Sequence, residues 1–489
     1  MEPKNLWTLF AENVKKWPDK PAVIYLGTRY SFGTLKEHAE HFAAGLCKLG
    51  ITRGDRVIIY APNSPQWLIT FLGIQRAGAI PVPITPIYTP PDVKFICNNC
   101  DAKMILCADS NLGYVLRAIP ETNVTNVIVT GTTEMLPWWK RFLGRAFDKI
   151  PRGNMVKADN VLAFRDVLKH TDGAMSPEQL LDIGSPSVIL YTGGTTGFPK
   201  GVPLSHAAFC QAGTEWRKVK EAVFPPSGDV VLQSAPLYHM LGIGGGVVGA
   251  ICAGGDTMIL PPRVNLDGLM DWIQRYKVIS LGAVPTFYRM VLEHDRVDQY
   301  DLSSLKYCLV GGDSVPQELQ KRWFEKYHFK LSEGYGITEA CGSVSNSFAG
   351  ESQPEGCAGR LMDYISMKVV YPGTIDQVPD GEPGEALICS QYGPKRYWNS
   401  QEDTVSSFVE IDGKTWYRTK DIVRLQDGKF VFFLDREADM IKHKGYRIAA
   451  AEIERVLQEH HAVIAACAIG VPDPKVGERV KAFYRGQDS

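Results

Sequence analysis

The run Thr192-Gly193-Gly194-Thr195-Thr196-Gly197-Phe198-Pro199-Lys200-Gly201 concentrates the residue types that hold phosphate. Glycines let the backbone take positive φ and approach a ligand closely. Successive N–H groups form an anion-binding nest, threonine hydroxyls add donors, and Lys200 brings positive charge on a flexible stem. The apolar Val188-Ile189-Leu190-Tyr191 before it reads as the strand that delivers the loop. A P-loop would have glycine before the lysine and Ser/Thr after it; here Pro199 and Gly201 stand there. On these residues alone a glycine-rich surface loop is the competing reading.

Other segments downstream also carry chemistry-bearing residues. Tyr335-Gly336-Ile337-Thr338-Glu339 ends in a carboxylate, a hard oxygen ligand that suits Mg²⁺ beside phosphate oxygens; taken alone, Thr338-Glu339 reads as a capped helix start. Gly311-Gly312-Asp313 and Glu333-Gly334-Tyr335 are glycine-flanked. Tyr417-Arg418-Thr419-Lys420-Asp421 ends in an acid that has two acceptor oxygens when ionised, or serves as a plain turn residue. Asp435-Arg436-Glu437-Ala438-Asp439-Met440-Ile441-Lys442-His443-Lys444-Gly445-Tyr446 is charged throughout, and its Lys442, His443 and Lys444 also fit a solvated basic turn. Pro236-Leu237-Tyr238-His239 precedes a glycine run at 242 and 244–246.

Tyr191–Gly201 and these segments, in this order, resemble the adenylate-forming superfamily of acyl-CoA synthetases, luciferases and peptide-synthetase adenylation domains. The resemblance covers nearly the whole chain. It implies that Thr192, Gly193, Gly194, Thr195, Thr196, Gly197 and Lys200 cradle the phosphates of ATP. It implies that Thr338 contacts the α-phosphate and Glu339 holds Mg²⁺. Gly312, Asp313, Glu333, Gly334, Tyr335 and Gly336 would wall the adenine pocket, with Tyr335 stacked on the base. Asp421 would accept both ribose hydroxyls, and Arg436 would reach ribose or phosphate oxygens. His239, Gly242, Gly244, Gly245 and Gly336 would line the acyl pocket, the missing side chains leaving volume for a bulky or long acyl group. His239 would sit near the carboxylate or gate the thiol channel; a purely structural histidine is the alternative. Ala438, Lys444 and Gly445 would belong to the hinge and coenzyme A side, with Lys442 facing the site in the second step. Two positions depart from the pattern: Lys420 stands where relatives have glycine, and Ala438 where they have a charged hinge residue.

In such an enzyme a substrate carboxylate attacks the α-phosphorus of ATP and pyrophosphate leaves. Both partners are negative, so the barrier is electrostatic and positional. The small domain then swings and the coenzyme A thiol attacks the adenylate. Relatives carry a lysine for adenylation in a last motif that has no counterpart before Ser489. Either the sequence is part of a longer protein or the natural protein lacks that half, and the chain as written is expected to bind ATP but to adenylate poorly. Val480–Tyr484 reads as a strand with no partner after it.

The elements that must position these residues alternate strand and helix, which implies a parallel α/β sheet. Leu6–Trp17 reads as an amphipathic helix burying Leu6, Leu9, Phe10, Val14 and Trp17. Short apolar strands recur to Tyr307–Val310; after Ala386 the pattern turns to β, with Asp427-Gly428 at a type I′ hairpin. The expectation is a large N-terminal domain, residues 1–436, of α/β subdomains with a β-rich lobe, and a small, incomplete α+β mobile domain, residues 437–489. With 489 residues the chain is too long for a single core. A formal net charge of −1 gives nothing to attract nucleic acid. The eleven cysteines are an odd set without disulfide spacing, which suits a reducing cytoplasm; Cys97, Cys100 and Cys107 read as core packing or half of a zinc site. The N-terminus lacks a signal-peptide core, and no stretch is apolar enough to span a membrane.

Two features lean towards a medium- or long-chain fatty acid. The glycine at 193, where many relatives have serine, resembles long-chain acyl-CoA synthetases. Residues 135–152 make a helix with Trp138, Trp139, Phe142, Leu143, Ala146, Phe147 and Ile150 on one face and basic residues mostly opposite. That face suits either a membrane surface or packing on the protein body. The expected partners are a carboxylic acid, ATP and coenzyme A, for a cytoplasmic monomer or homodimer, peripheral at the inner membrane face if the helix meets lipid. An aromatic acid, a carrier-protein thiol as acceptor, and a non-catalytic nucleotide- or lipid-binding relative stay open.

Overall fold

The computed structural model describes residues 4–146, 160–169, 182–192, 198–222, 228–261, 265–313, 315–436, 439–443, 446–458, 460, 462–473 and 476–486. Within them a 14-stranded sheet forms the backbone of the molecule. One half is mainly parallel: Pro21–Tyr25, Thr257–Ile259, Val230–Leu232, Ser280–Ala283, Tyr307–Val310 and Ser332–Ile337 lie side by side in that order. The other half is antiparallel and starts where Gly342–Asn346 pairs with Ser332–Ile337. Ser332–Ile337 is therefore the seam between the halves. In open α/β sheets, ligands gather at the carboxyl ends of strands where the topology changes.

A second sheet of five parallel strands runs Ile80–Pro83, Arg56–Tyr60, Ala102–Ala108, Asn126–Thr130, Val161–Ala163. Its central strands are buried along their length, as a parallel sheet covered on both faces requires. Cys97, Cys100 and Cys107 lie in the core around it, each burying a small apolar side chain. Pro186–Thr192 and Lys200–Ser205 pair with each other, so the glycine-rich loop joins two strands of a hairpin rather than a strand to a helix.

The helix Leu6–Lys16 forms with Asn5 as its cap and buries Leu6, Trp7, Phe10, Asn13 and Val14. Trp17, expected on that face, lies past the last turn and is exposed. Asp427 and Gly428 both have positive φ, and Lys429 N donates to Gln426 O, as a type I′ turn demands. A separate four-stranded sheet joins Tyr446–Ile448, Ile441–His443, Gly477–Gly486 and Val463–Asp473, with the helix Ala450–Gln458. The strand expected at 480–484 is Gly477–Gly486, paired along its length with the preceding Val463–Asp473, as antiparallel pairing lets a strand bond back to its neighbour. Arg289 reaches this part of the chain through Gln458, at 3.0 Å. No helix among the described residues is long and apolar enough to cross a membrane.

Leu241–Gly254 winds as a wide π-helix beside the large sheet. Its glycines follow from close approach, not from spare volume. A Cβ on Gly242 would lie 1.9 Å from Pro236 O, one on Gly244 2.6 Å from Met240 Cε, and one on Gly245 2.8 Å from the Trp216 ring. Gly242→Ala should therefore push the Pro236–His239 segment aside and cost about 1–3 kcal/mol, the usual penalty of overpacking. Chemical denaturation with unchanged stability would refute that packing constraint.

Candidate functional site

The seam strand carries Glu333, Gly334, Tyr335 and Gly336, and a 3₁₀ turn, Thr338–Ala340, follows it directly. The turn swings Glu339 inward, where it is buried, while Thr338 stays half-exposed. Tyr397 Oη donates to Glu339 Oε1 at 2.7 Å and lies 3.2 Å from Tyr417 Oη. Burial, with Glu339 close by, drives the hydroxyl pKa of Tyr397 far above its ordinary value, so the group stays a donor. Lys200 Nζ sits 5.4 Å from the Tyr397 ring centre and 2.6 Å from Asp403 Oδ1. One tyrosine thus links the loop lysine to the turn carboxylate.

Asp421 enters from the antiparallel half. Thr419 Oγ1 accepts from its backbone N–H at 3.0 Å, and the neighbouring residues Arg418 and Lys420 N–H both donate to the buried Glu385. Lys420 has φ +59°, the left-handed region that favours glycine. The backbone therefore keeps the conformation expected of glycine, and the lysine carries the strain. Asp421 Oδ2 accepts from Tyr335 Oη at 2.5 Å, and Arg436 Nε lies 3.7 Å from Oδ1 across the paired strand. Burial pushes the Asp421 carboxyl up to about 6, against the pull of the Tyr335 hydroxyl and Arg436.

The Tyr335 ring is buried, tilted against Phe433 at 5.5 Å, so in this structure it supports Asp421 from within the core rather than offering a face. Glu333 is walled in beside Gln320; burial pushes it up to about 7, although the Gln320 amide donates to it at 3.1 Å. Gly312 has φ +88°, and a Cβ on Gly311 would lie 3.1 Å from Gly334 O, so Gly311-Gly312-Asp313 rests against the seam strand. Gly336 is exposed, and a Cβ there would lie 2.5 Å from Gly342 O.

A cavity with about 490 Å³ of empty space, mouth included, lies between the π-helix and the parallel strands. Trp216, Leu241, Leu281 and Leu309 wall it, and Gly245 and Gly246 border it. Leu309 in its wall would lie 3.4 Å from a Cβ on Gly334. Polar groups also line it: Lys220, ion-paired to the buried Asp229, which accepts from Ser280 Oγ at 2.6 Å, and Tyr307. Of the five residues assigned to an acyl pocket, Gly245 lines this cavity. Gly242, Gly244 and Gly336 pack on backbone or side chains, and His239 is exposed outside it. The backbone of Pro236 and Gly342 and the side chains of Met240 and Trp216 occupy the space that these glycines leave.

Thr192 is half-buried in register with Lys200. Gly193, Gly194, Thr195, Thr196, Gly197, Ala438, Lys444 and Gly445 lie outside the described residues, and Lys442 falls on the strand Ile441–His443. Motif reading missed Tyr397 and Asp403, because no local pattern marks residues that meet Lys200 and Glu339 only through folding.

Tyr397 thus stands between Glu339 and Lys200, Asp421 comes in from the other half-sheet, and the cavity adjoins the seam strand that carries residues 333–336. The chain belongs to the AMP-binding enzyme family: that family's model matches residues 10–398, and the model of its C-terminal domain matches residues 452–488. A long-chain-fatty-acid–CoA ligase of Bacillus subtilis is 30% identical over 487 residues, covering 98% of this chain and 85% of that protein. A 4-coumarate–CoA ligase of Vanilla planifolia is 28% identical, covering 98% and 84%. The crystal structure of an anthranilate CoA ligase with anthranoyl-AMP superposes with a TM-score of 0.84 at 23% identity, covering 98% and 86%. The protein is an AMP-forming acid–CoA ligase that works through an acyl-adenylate and uses ATP and coenzyme A.

Tyr397→Phe should leave Glu339 without its hydroxyl donor, a loss of about 1–3 kcal/mol. Acid-dependent ATP–pyrophosphate exchange should fall about ten-fold or more, at 1.4 kcal/mol per decade; wild-type exchange would show that other groups hold the carboxylate.

Proposed function

We propose that the acid is a medium- or long-chain fatty acid, taken up by the cavity beside Gly334. The observation that carries this reading is the apolar wall of Trp216, Leu241, Leu281 and Leu309 next to the seam strand. The Bacillus subtilis relative, named for long-chain fatty acids, supports it. An aromatic acid is the second reading: the flat Trp216 and Tyr307 side chains and the ion-paired Lys220 in the lining suit a short ring, and the Vanilla planifolia relative is named for 4-coumarate.

In this reading the substrate carboxylate enters above the cavity rim and attacks the α-phosphorus, and pyrophosphate leaves. Lys200 and the N–H groups of residues 193–197 take the phosphate charge, and Thr338 donates to the α-phosphate. Gly312, Asp313, Glu333, Gly334 and Gly336 border the base, with Tyr335 holding Asp421 from below. Asp421 accepts the ribose hydroxyls, and Arg436 supports it. Glu339 suits Mg²⁺, since one buried carboxylate plus phosphate oxygens is the usual donor set; the ion, when bound, offsets triphosphate charge. Lys200 must exchange Asp403 for phosphate as ATP binds. We place the boundary between the large domain, 1–436, and the small domain, 437–489, at the end of the strand Phe430–Arg436, where one sheet stops and the next begins. To Ala438, Lys444 and Gly445 we assign the hinge and thiol-side roles, and to Lys442 a role in thioester formation.

An acid panel of graded chain length, with 4-coumarate and benzoate included, decides between the readings: AMP release greatest with a ring acid would overturn the first. Lys200→Ala and Glu339→Ala should each abolish exchange in folded protein, and wild-type-like exchange in either would refute these roles. Because the Asp421 carboxyl stands at about 6, ATP affinity should be full near pH 8 and decline as pH falls through 6 and the acceptor becomes protonated. Asp421→Asn should bind weakly with little pH dependence; a wild-type slope of the same size in that variant would exclude Asp421 as its source.

A further inference from the structure

The helix Trp138–Ala146 carries three large aromatic side chains in the open: Trp138 is 74% exposed, Trp139 47% and Phe142 66%. Spacing of one and four residues sets them on one side of the helix. The helix is nevertheless held in place by polar contacts. Lys140 Nζ donates to Leu26 O at 2.8 Å and Thr28 Oγ1 at 3.0 Å, and Tyr30 Oη donates to Met135 O at 2.9 Å. Leu26, in the turn between the paired strands Pro21–Tyr25 and Thr28–Ser31, is itself exposed and extends the apolar surface. The exposure overturns packing on the protein body for Trp138 and Phe142.

Charge identifies the occupant. The sequence from Met135 to Ala146 holds Lys140, Arg141 and Arg145 and no acidic residue. A second copy packed against this helix would set two net-positive segments side by side, which is unfavourable. An anionic bilayer complements both features. Indole and phenyl rings settle at the boundary between headgroups and acyl chains, and basic residues are drawn to the negative surface.

We propose that the helix Trp138–Ala146 seats the enzyme on an anionic lipid surface, with Trp138, Trp139 and Phe142 entering the interfacial layer. The contact is separate from nucleotide and acid binding, so it stands whichever acid class is correct. For a fatty acid, it places the enzyme where the substrate partitions.

Flotation of the full chain with phosphatidylcholine vesicles containing phosphatidylglycerol, without substrates, tests this. The protein should float with anionic vesicles, less with phosphatidylcholine alone, and less in high salt. The double variant Trp138→Ser/Phe142→Ser should lower the bound fraction about ten-fold or more, since loss of two buried aromatics weakens interfacial binding steeply. Its turnover of a short water-soluble acid should match wild type, confirming the fold. Absence of flotation by the wild type, or equal flotation by the variant, overturns the proposal. So does a wild-type dimer that the variant converts to monomer with no effect of vesicles, which would assign the face to a second copy.

Discussion

Glu339 is a carboxylate kept out of water beside the hydroxyl of Tyr397, and the surrounding elements converge on that contact. Its position depends on the seam strand Ser332–Ile337, which ends one residue before the turn that carries it. The strand is parallel to one neighbour and antiparallel to the other, so the chain leaves it where two kinds of sheet meet. A buried acid must be paired or hydrogen-bonded to be tolerated. Tyr397 satisfies that need and, through the face of its ring, keeps Lys200 nearby. One side chain thus ties the lysine at the end of the glycine-rich loop to the carboxylate at the end of the seam strand.

The same logic governs Asp421. Three polar contacts from residues 418–420 shape the backbone before it, and Tyr335 and Arg436 hold the carboxylate from two sides. Glycine would meet the left-handed backbone at position 420 without strain. Lysine there shows that the conformation is imposed by the buried Glu385 and by strand pairing rather than by local preference. The lysine at 420 is accommodated as backbone strain, and Asp421 is held by the Tyr335 hydroxyl and Arg436.

Much of the fold is legible along the chain. Alternation of apolar runs with amphipathic segments marks the parallel strands, and Asp427-Gly428 marks its hairpin because both residues accept positive φ. Lys200, Glu339 and Asp421 are legible as chemistry, since each lies in a short run whose residue types serve one purpose. Tyr397 and Asp403 are not, because their meaning lies in neighbours far off in sequence. The glycines at 242 and 244–246 mislead for a related reason: absent side chains leave space only if nothing else enters it, and Pro236, Met240, Trp216 and Gln233 do. The aromatic face of 138–142 stayed ambiguous because periodicity tells which residues share a face, not what covers it.

The order of residues by itself carried the family resemblance, the α/β class and the basic aromatic helix, because these depend on residue type and short-range spacing. Tertiary structure decided the pairing of Lys200 with Asp403, the support of Glu339 by Tyr397, the apolar wall of the cavity, and the exposure of Trp138 and Phe142. Each of these is a contact, or the lack of one, between segments tens to hundreds of residues apart. Only the packed chain sets which side chain occupies a space and which is left facing the solvent.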